Sequence, residues 1–131
     1  MSDVKNFIIV DDYAFNSMIA EKMLKSIAPE IHFKSFLYAQ EAFDYVKNND
    51  LDKVTILIDI QMPYMSGFQF IEAFEGLPEE KRRNYSIYIY SSTVNEDDKQ
   101  KASSHAEVKQ FLPKPLTFDA LKAILGRTEP V

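Results

Sequence analysis

The sequence predicts an α/β fold built on one parallel sheet, and three observations carry that reading. Short runs rich in Ile, Val, Phe and Tyr alternate with segments of helical period, giving strand then helix five times over. Most of these runs are nearly continuous in apolar residues, as strands covered on both faces are. The chain has 131 residues, 46% of them apolar, which suits one domain able to bury a core without a disulfide or a metal. We therefore expect residues 1–131 to form a single domain.

The first strand is expected over residues 7–10, FIIV. A helix should follow, with Phe15, Met18, Ile19, Lys22, Met23 and Ile27 recurring at three and four residues as its face and Pro29 ending it. Residues 31–36 alternate Ile, Phe and Phe with polar residues, which predicts an edge strand with one wet face. Residues 39–47 place Ala42, Phe43 and Val46 on one side of a second helix. Residues 54–58 give a third strand. Residues 66–75 then gather Phe70, Ile71 and Phe74, with Gly76 and Pro78 closing that helix. Residues 78–83, PEEKRR, read as a solvated connection to a fourth strand at 87–90. Asn95 precedes Glu96, Asp97 and Asp98 as an N-cap for a polar helix over 95–104. Residues 108–112 form the fifth strand, and Thr117 caps a last helix over 117–125 with Leu121, Ile124 and Leu125 inward. The tail after Gly126 should fray.

Composition excludes several function classes. With no cysteine, disulfide scaffolds, thiolate zinc sites and cysteine nucleophiles are ruled out. A net charge of -5 argues against nucleic acid and anionic membranes as partners. The N-terminal apolar run is far too short for a secretory signal or a spanning helix, so a cytoplasmic protein is expected.

In an open parallel sheet, ligands sit outside the carboxyl ends of the strands. The first strand is followed there by Asp11 and Asp12, the third ends in Asp59, the fourth in Ser91 and Ser92, and the fifth runs into Lys114. Taken singly, these are turn residues, caps and a solvated lysine; taken together, three carboxylates, a hydroxyl and an ammonium converge on one edge. Three carboxylates so close repel one another unless a cation intervenes. An oxygen-only set that leaves room for water suits Mg²⁺. Asp59 can then serve as a nucleophile toward a phosphoryl group, with Lys114 and Ser91 stabilising charge on the transferred oxygens. Pro63 stiffens the loop after Asp59, Gly67 gives backbone freedom near the third helix, and Pro113 and Pro115 bracket Lys114, where an X-Pro bond is a candidate for the cis form.

The motifs VDD, DIQMPYMSG, YSST and FLPKPL, in this order and spacing, make the chain resemble the receiver domain of two-component response regulators over nearly its whole length. The resemblance implies a flavodoxin-like, doubly wound fold with five strands in the order 2-1-3-4-5 and helices on both faces. It implies that Asp59 accepts phosphate from a histidine kinase or phosphotransfer protein. It further implies that Asp12 binds Mg²⁺ directly, that Asp11 does so less directly, and that Gln61 offers its backbone carbonyl. Ser91 matches the switch hydroxyl, Lys114 the phosphate-binding lysine and Phe111 the aromatic switch position. Output is then expected through a face made by the fourth helix, the fifth strand and the fifth helix, toward a protein target.

The chain departs from the family pattern in ways that spare every required group. Ser91 stands where threonine is commoner and keeps the hydroxyl. Phe111 stands where tyrosine is frequent and has no phenol. Gln61 and Thr93 fill the two variable positions that tune phosphoryl lifetime, and Leu37-Tyr38-Ala39-Gln40 lacks a common glycine. Such a protein catalyses only its own phosphorylation and dephosphorylation. A receiver excised from a hybrid kinase or a longer regulator would read the same way. A pseudo-receiver is disfavoured by the complete acidic set. An aspartate-nucleophile phosphatase is disfavoured by Gln61, where a second aspartate would stand. No glycine-rich loop follows the first strand, which removes mononucleotide binding.

Overall fold

Apolar runs four to seven residues long can hide both faces only inside a layered sheet, and that is where the chain puts them. A computed structural model describes residues 4–93 and 95–126. The strands are β1 (Asn6–Val10), β2 (His32–Phe36), β3 (Val54–Asp59), β4 (Tyr85–Ser91) and β5 (Val108–Pro113). The helices are α1 (Ala14–Ile27), α2 (Ala39–Asn48), α3 (Gly67–Glu75), α4 (Glu79–Arg82), α5 (Glu96–Ser103) and α6 (Phe118–Ile124). All pairings are parallel and the order is β2-β1-β3-β4-β5, the doubly wound arrangement expected. The chain winds outward from β1 to β2 and then back past it to β3, which opens a crevice beyond the ends of β1 and β3.

Strand alternation divides the core into two layers. Ile8, Val10, Ile56, Ile58, Ile87 and Ile89 face α2, α3 and Ala102 of α5. Phe7, Ile9, Leu57, Tyr90 and Leu112 face α1 and α6. By the same alternation Asp11 and Asp59 continue the α1–α6 side, whereas Ser91 continues the other. β2 is the edge strand foreseen, with Lys34 exposed and Phe33 and Phe36 half-buried. In β5 the pairing skips from Val108 to Gln110, a bulge that leaves Lys109 unmatched and re-aims the end of the strand.

Helix ends follow the local chemistry. Asn95 accepts from the Asp98 N–H and Thr117 from the Ala120 N–H, as their types predict. Ser66 and Gln69 form a reciprocal capping box at the start of α3, which the sequence reading had not singled out.

One expectation needs correction, and one gains detail. The buried face of α1 is Ser17, Ala20, Met23 and Leu24, while Phe15, Met18 and Ile19 lie outward. The helix approaches the sheet through its small residues, and its apolar stripe is wider than the surface it covers. Residues 78–83 are the solvated connection expected, and they also contain the helical turn α4, begun by Pro78. Glu79 and Glu80 at its start and Lys81 and Arg82 at its end suit the helix dipole. Lys81 also donates to the Val46 and Asn49 carbonyls at 2.9 and 2.8 Å, and Arg82 pairs with Glu107 at 3.0 Å, so the turn ties α2 to the entry of β5. The expected fraying of residues 127–131 lies outside the described residues.

Candidate functional site

The site is assembled by strand ends. Asp59 is the last residue of β3 and is 6% exposed. Its Oδ1 accepts from the Gln61 N–H at 3.0 Å and its Oδ2 from Lys114 Nζ at 2.9 Å. Asp11, immediately after β1, is fully buried. Its Oδ1 accepts from the Tyr13 N–H at 2.9 Å. Its Oδ2 accepts from Asn16 Nδ2 at 2.9 Å, from Lys114 Nζ at 3.1 Å and from the Tyr90 hydroxyl. Asp12 is exposed, and one oxygen from each of Asp11, Asp12 and Asp59 lies within 4.8 Å of the others. An open cavity of about 470 Å³ lies over the three acids, with Ser92 and Lys114 also on its wall.

Loop geometry brings these groups in. The Lys114 N–H donates to the Ser91 carbonyl at 2.9 Å, which continues the β4–β5 ladder and sends the lysine side chain toward β3 and β1. The Lys114–Pro115 peptide is cis, within the segment anticipated for it. Gly67 has a role different from the one expected. It needs no unusual backbone conformation; instead, an added Cβ would lie 2.6 Å from the Asp59 carbonyl oxygen and 2.8 Å from Ile60 Cα. What it supplies is close approach of α3 to the end of β3.

Ser91 is buried, and its Oγ accepts from the Thr93 N–H at 3.2 Å rather than bonding to Asp59 or Lys114. Phe111 is half-buried and packs against the α2–α3 layer. Gln61 is exposed, with its N–H turned onto Asp59. Asp12 does not cap α1, since Tyr13 holds that position without a side-chain cap. The three acids and the lysine named from sequence thus meet around one cavity, with Gln61, Ser91 and Phe111 outside its wall.

Two residues of the cluster escaped the sequence reading. Tyr90 falls within the expected fourth strand, 87–90, and its hydroxyl reaches Asp11 while its ring lies 4.6 Å from the Lys114 ammonium. Its position in register with Asp59 on the neighbouring strand was the available signal. Asn16, in the first turn of α1, is the other.

The electrostatics follow from these contacts. At an effective dielectric of about 20, two carboxylates at such a separation repel by roughly 3 kcal/mol. Burial pushes the Asp11 carboxyl upward, but the hydrogen bonds from Tyr90, Tyr13, Asn16 and Lys114 outweigh it and hold the group below its ordinary value. Burial likewise works against the Lys114 charge, and Asp59 and Asp11 reverse that and raise it. Burial and the adjacent carboxylates, Asp11 foremost, push the Tyr90 phenol far up, so it remains a donor throughout the neutral range. Three carboxylates against one ammonium leave a balance of two negative charges, which fits a hard divalent ion on oxygen donors.

The fold is a doubly wound parallel sheet with an acidic set and a lysine gathered at its strand ends. The family model of the response regulator receiver domain matches residues 7–126, and the chain belongs to that family. It is therefore a receiver domain of two-component systems, a signalling module and not an enzyme of the ordinary kind. The crystal structure of a response regulator receiver protein from Dyadobacter fermentans is 35% identical, covers 93% of this chain and 95% of its own, and superposes with a TM-score of 0.83. The receiver domain of a sensor histidine kinase from Pseudomonas aeruginosa, solved with a magnesium ion in its active-site cleft, shares the fold at 21% identity, 95% and 97% coverage and a TM-score of 0.77. A cyclic di-GMP phosphodiesterase response regulator from Xanthomonas campestris is 29% identical over 90% of this chain. The chain spans only 30% of that relative and between 4% and 14% of three further curated ones. No helix among the described residues is long and apolar enough to cross a membrane.

Proposed function

We propose that Asp59 is the phosphoacceptor of this receiver and that the domain passes its signal by contact with a protein partner. The observation that carries this reading is the placement of one buried carboxylate, Asp59, between the Lys114 ammonium at 2.9 Å and two further acids. In the reaction, an Asp59 oxygen attacks the phosphorus of a phosphohistidine on a histidine kinase or phosphotransfer protein. The P–N bond breaks, its electron pair stays on the imidazole, which takes up a proton, and an acyl phosphate forms on Asp59. Asp11, Asp12, Asp59 and the Gln61 backbone carbonyl would hold Mg²⁺. When bound, the ion offsets charge on the transferred oxygens. Lys114 contributes a fixed positive charge from the opposite wall.

For the output, Ser91 exchanges its bond with the Thr93 N–H for one to the new phosphoryl oxygens, which opens space behind it, and Phe111 turns inward. That repacks the face made by α5, β5 and α6, a shift between two packings driven by a local charge. In this reading the module works in the cytoplasm as a single receiver unit over about residues 5–126, with neither nucleic acid nor membrane as its partner. Because its curated relatives are much longer, it fits equally as the receiver of a longer regulator or hybrid kinase.

Metal removal tests the reading. With phosphoramidate and Mg²⁺, intact-mass analysis is expected to show one added phosphoryl group, and chelation should return labelling to background; equal labelling with the chelator would contradict it. For the switch, beryllofluoride with Mg²⁺ should shift the Phe111 ring signals in NMR. Unchanged signals would remove Phe111 from the mechanism.

A further inference from the structure

We propose that Tyr90 is a positioning residue of this site, holding Asp11 through its phenol and seating the Lys114 ammonium on its ring. The inference rests on the phosphoacceptor reading above and assigns a further strand-end group to the same chemistry. Tyr90 is 2% exposed and lies directly across from Asp59 in the β3–β4 ladder. Its ring rises from the α1–α6 layer, and its hydroxyl ends on Asp11 Oδ2.

The donor count on Asp11 gives this contact its consequence. Oδ2 receives three donors, Tyr90, Asn16 and Lys114, which fills the lone pairs of a carboxylate oxygen. Oδ1 receives only the Tyr13 N–H and keeps acceptor capacity. Tyr90 thus fixes which oxygen of Asp11 serves a cation or its water, and prevents the carboxylate from rotating to offer the other. The same residue acts on the opposite charge. With the ammonium 4.6 Å from the ring centroid, 2.9 Å from Asp59 and 3.1 Å from Asp11, Lys114 is held by one aromatic face and two carboxylates. A buried tyrosine needs some partner for its hydroxyl, and any backbone carbonyl would serve. Here both polar contacts of the residue go to site groups.

Tyr90→Phe separates the two roles, because it keeps the ring and removes the donor. In a Mg²⁺ titration followed by backbone NMR, the variant is expected to bind about tenfold more weakly, as loss of a group supporting a metal ligand does. Phosphoramidate labelling lost at low Mg²⁺ should return when Mg²⁺ is raised by about the same factor, a rescue that a packing defect would not show. Tyr90→Leu removes the ring as well, and part of its labelling defect should persist at saturating Mg²⁺. A readout needing no metal is the Tyr90 hydroxyl proton, expected as a slowly exchanging, downfield signal in the metal-free wild type and absent from a folded Asp11→Asn. Wild-type Mg²⁺ affinity in a folded Tyr90→Phe, or a rapidly exchanging hydroxyl in the wild type, overturns the inference while leaving the phosphoacceptor reading intact. A wild type that neither binds Mg²⁺ nor labels overturns both.

Discussion

Asp59→Asn is expected to take phosphoramidate labelling to background, a loss of at least about a thousandfold in initial rate. The amide is nearly the same size as the carboxylate, so the change removes the nucleophile and one negative charge rather than a packing group. Lys114 retains its contact with Asp11 at 3.1 Å, and the Gln61 N–H can still find the side-chain oxygen, so the loops around the site keep their partners. A folded variant, shown by unchanged amide dispersion in NMR, is therefore expected to be inert toward the donor. Labelling at the wild-type rate would place the acceptor elsewhere.

Gly67→Ala should cost far more stability than the same change at Gly76. Its Cβ would meet the Asp59 carbonyl oxygen at 2.6 Å and Ile60 Cα at 2.8 Å, both backbone atoms that cannot swing aside. The Gly67 N–H also donates to the Ile60 carbonyl at 3.2 Å, so the clash and the hydrogen bond pull on the same segment. Overpacking of this kind costs about 3 kcal/mol. For a domain of this size that lowers the melting temperature by roughly 10 °C. Because relief requires the end of β3 to move, phosphoramidate labelling should fall as well. Gly76→Ala is the internal comparison: its nearest neighbour is the Ala73 carbonyl oxygen at 3.3 Å, in a right-handed conformation that alanine adopts readily. A Gly67→Ala protein as stable as the wild type would show that α3 does not press on the end of β3.

The reading of strands succeeded where burial on both faces leaves a plain signature. Residues 54–58 and 87–90 are nearly uniform in apolar character because helices cover both sides of the inner strands. The sites at strand ends were legible for a related reason: topology alone brings residues after β1, β3, β4 and β5 to one edge, however far apart they stand in sequence. The helical faces of α2, α3 and α6 lie where the pattern puts them, and α1 alone was harder. The period in α1 marks an apolar stripe, but burial went to Ser17 and Ala20, since close approach to a sheet favours small side chains over large ones. Tyr90 was hidden by its chemistry, because an aromatic in a β-strand reads as core and only its hydroxyl reveals its connection to Asp11. Gly67 was found but for the wrong reason: a glycine's missing Cβ and its backbone freedom look alike in sequence, and only the 2.6 Å approach separates them. The short helix α4 lay beneath a run of charges whose order, acids before bases, was itself the helical signal.

Chemical trapping of the modified residue is the most direct test of the mechanism. After incubation with phosphoramidate and Mg²⁺, borohydride reduction converts an aspartyl phosphate to homoserine, which peptide mass mapping can place in the sequence. The expected result is a single reduced site at Asp59, absent when Mg²⁺ is chelated. Reduction at Asp11 or Asp12 instead, or a stable phosphoryl group on His32 or His105, would contradict the assignment of Asp59 as the acceptor.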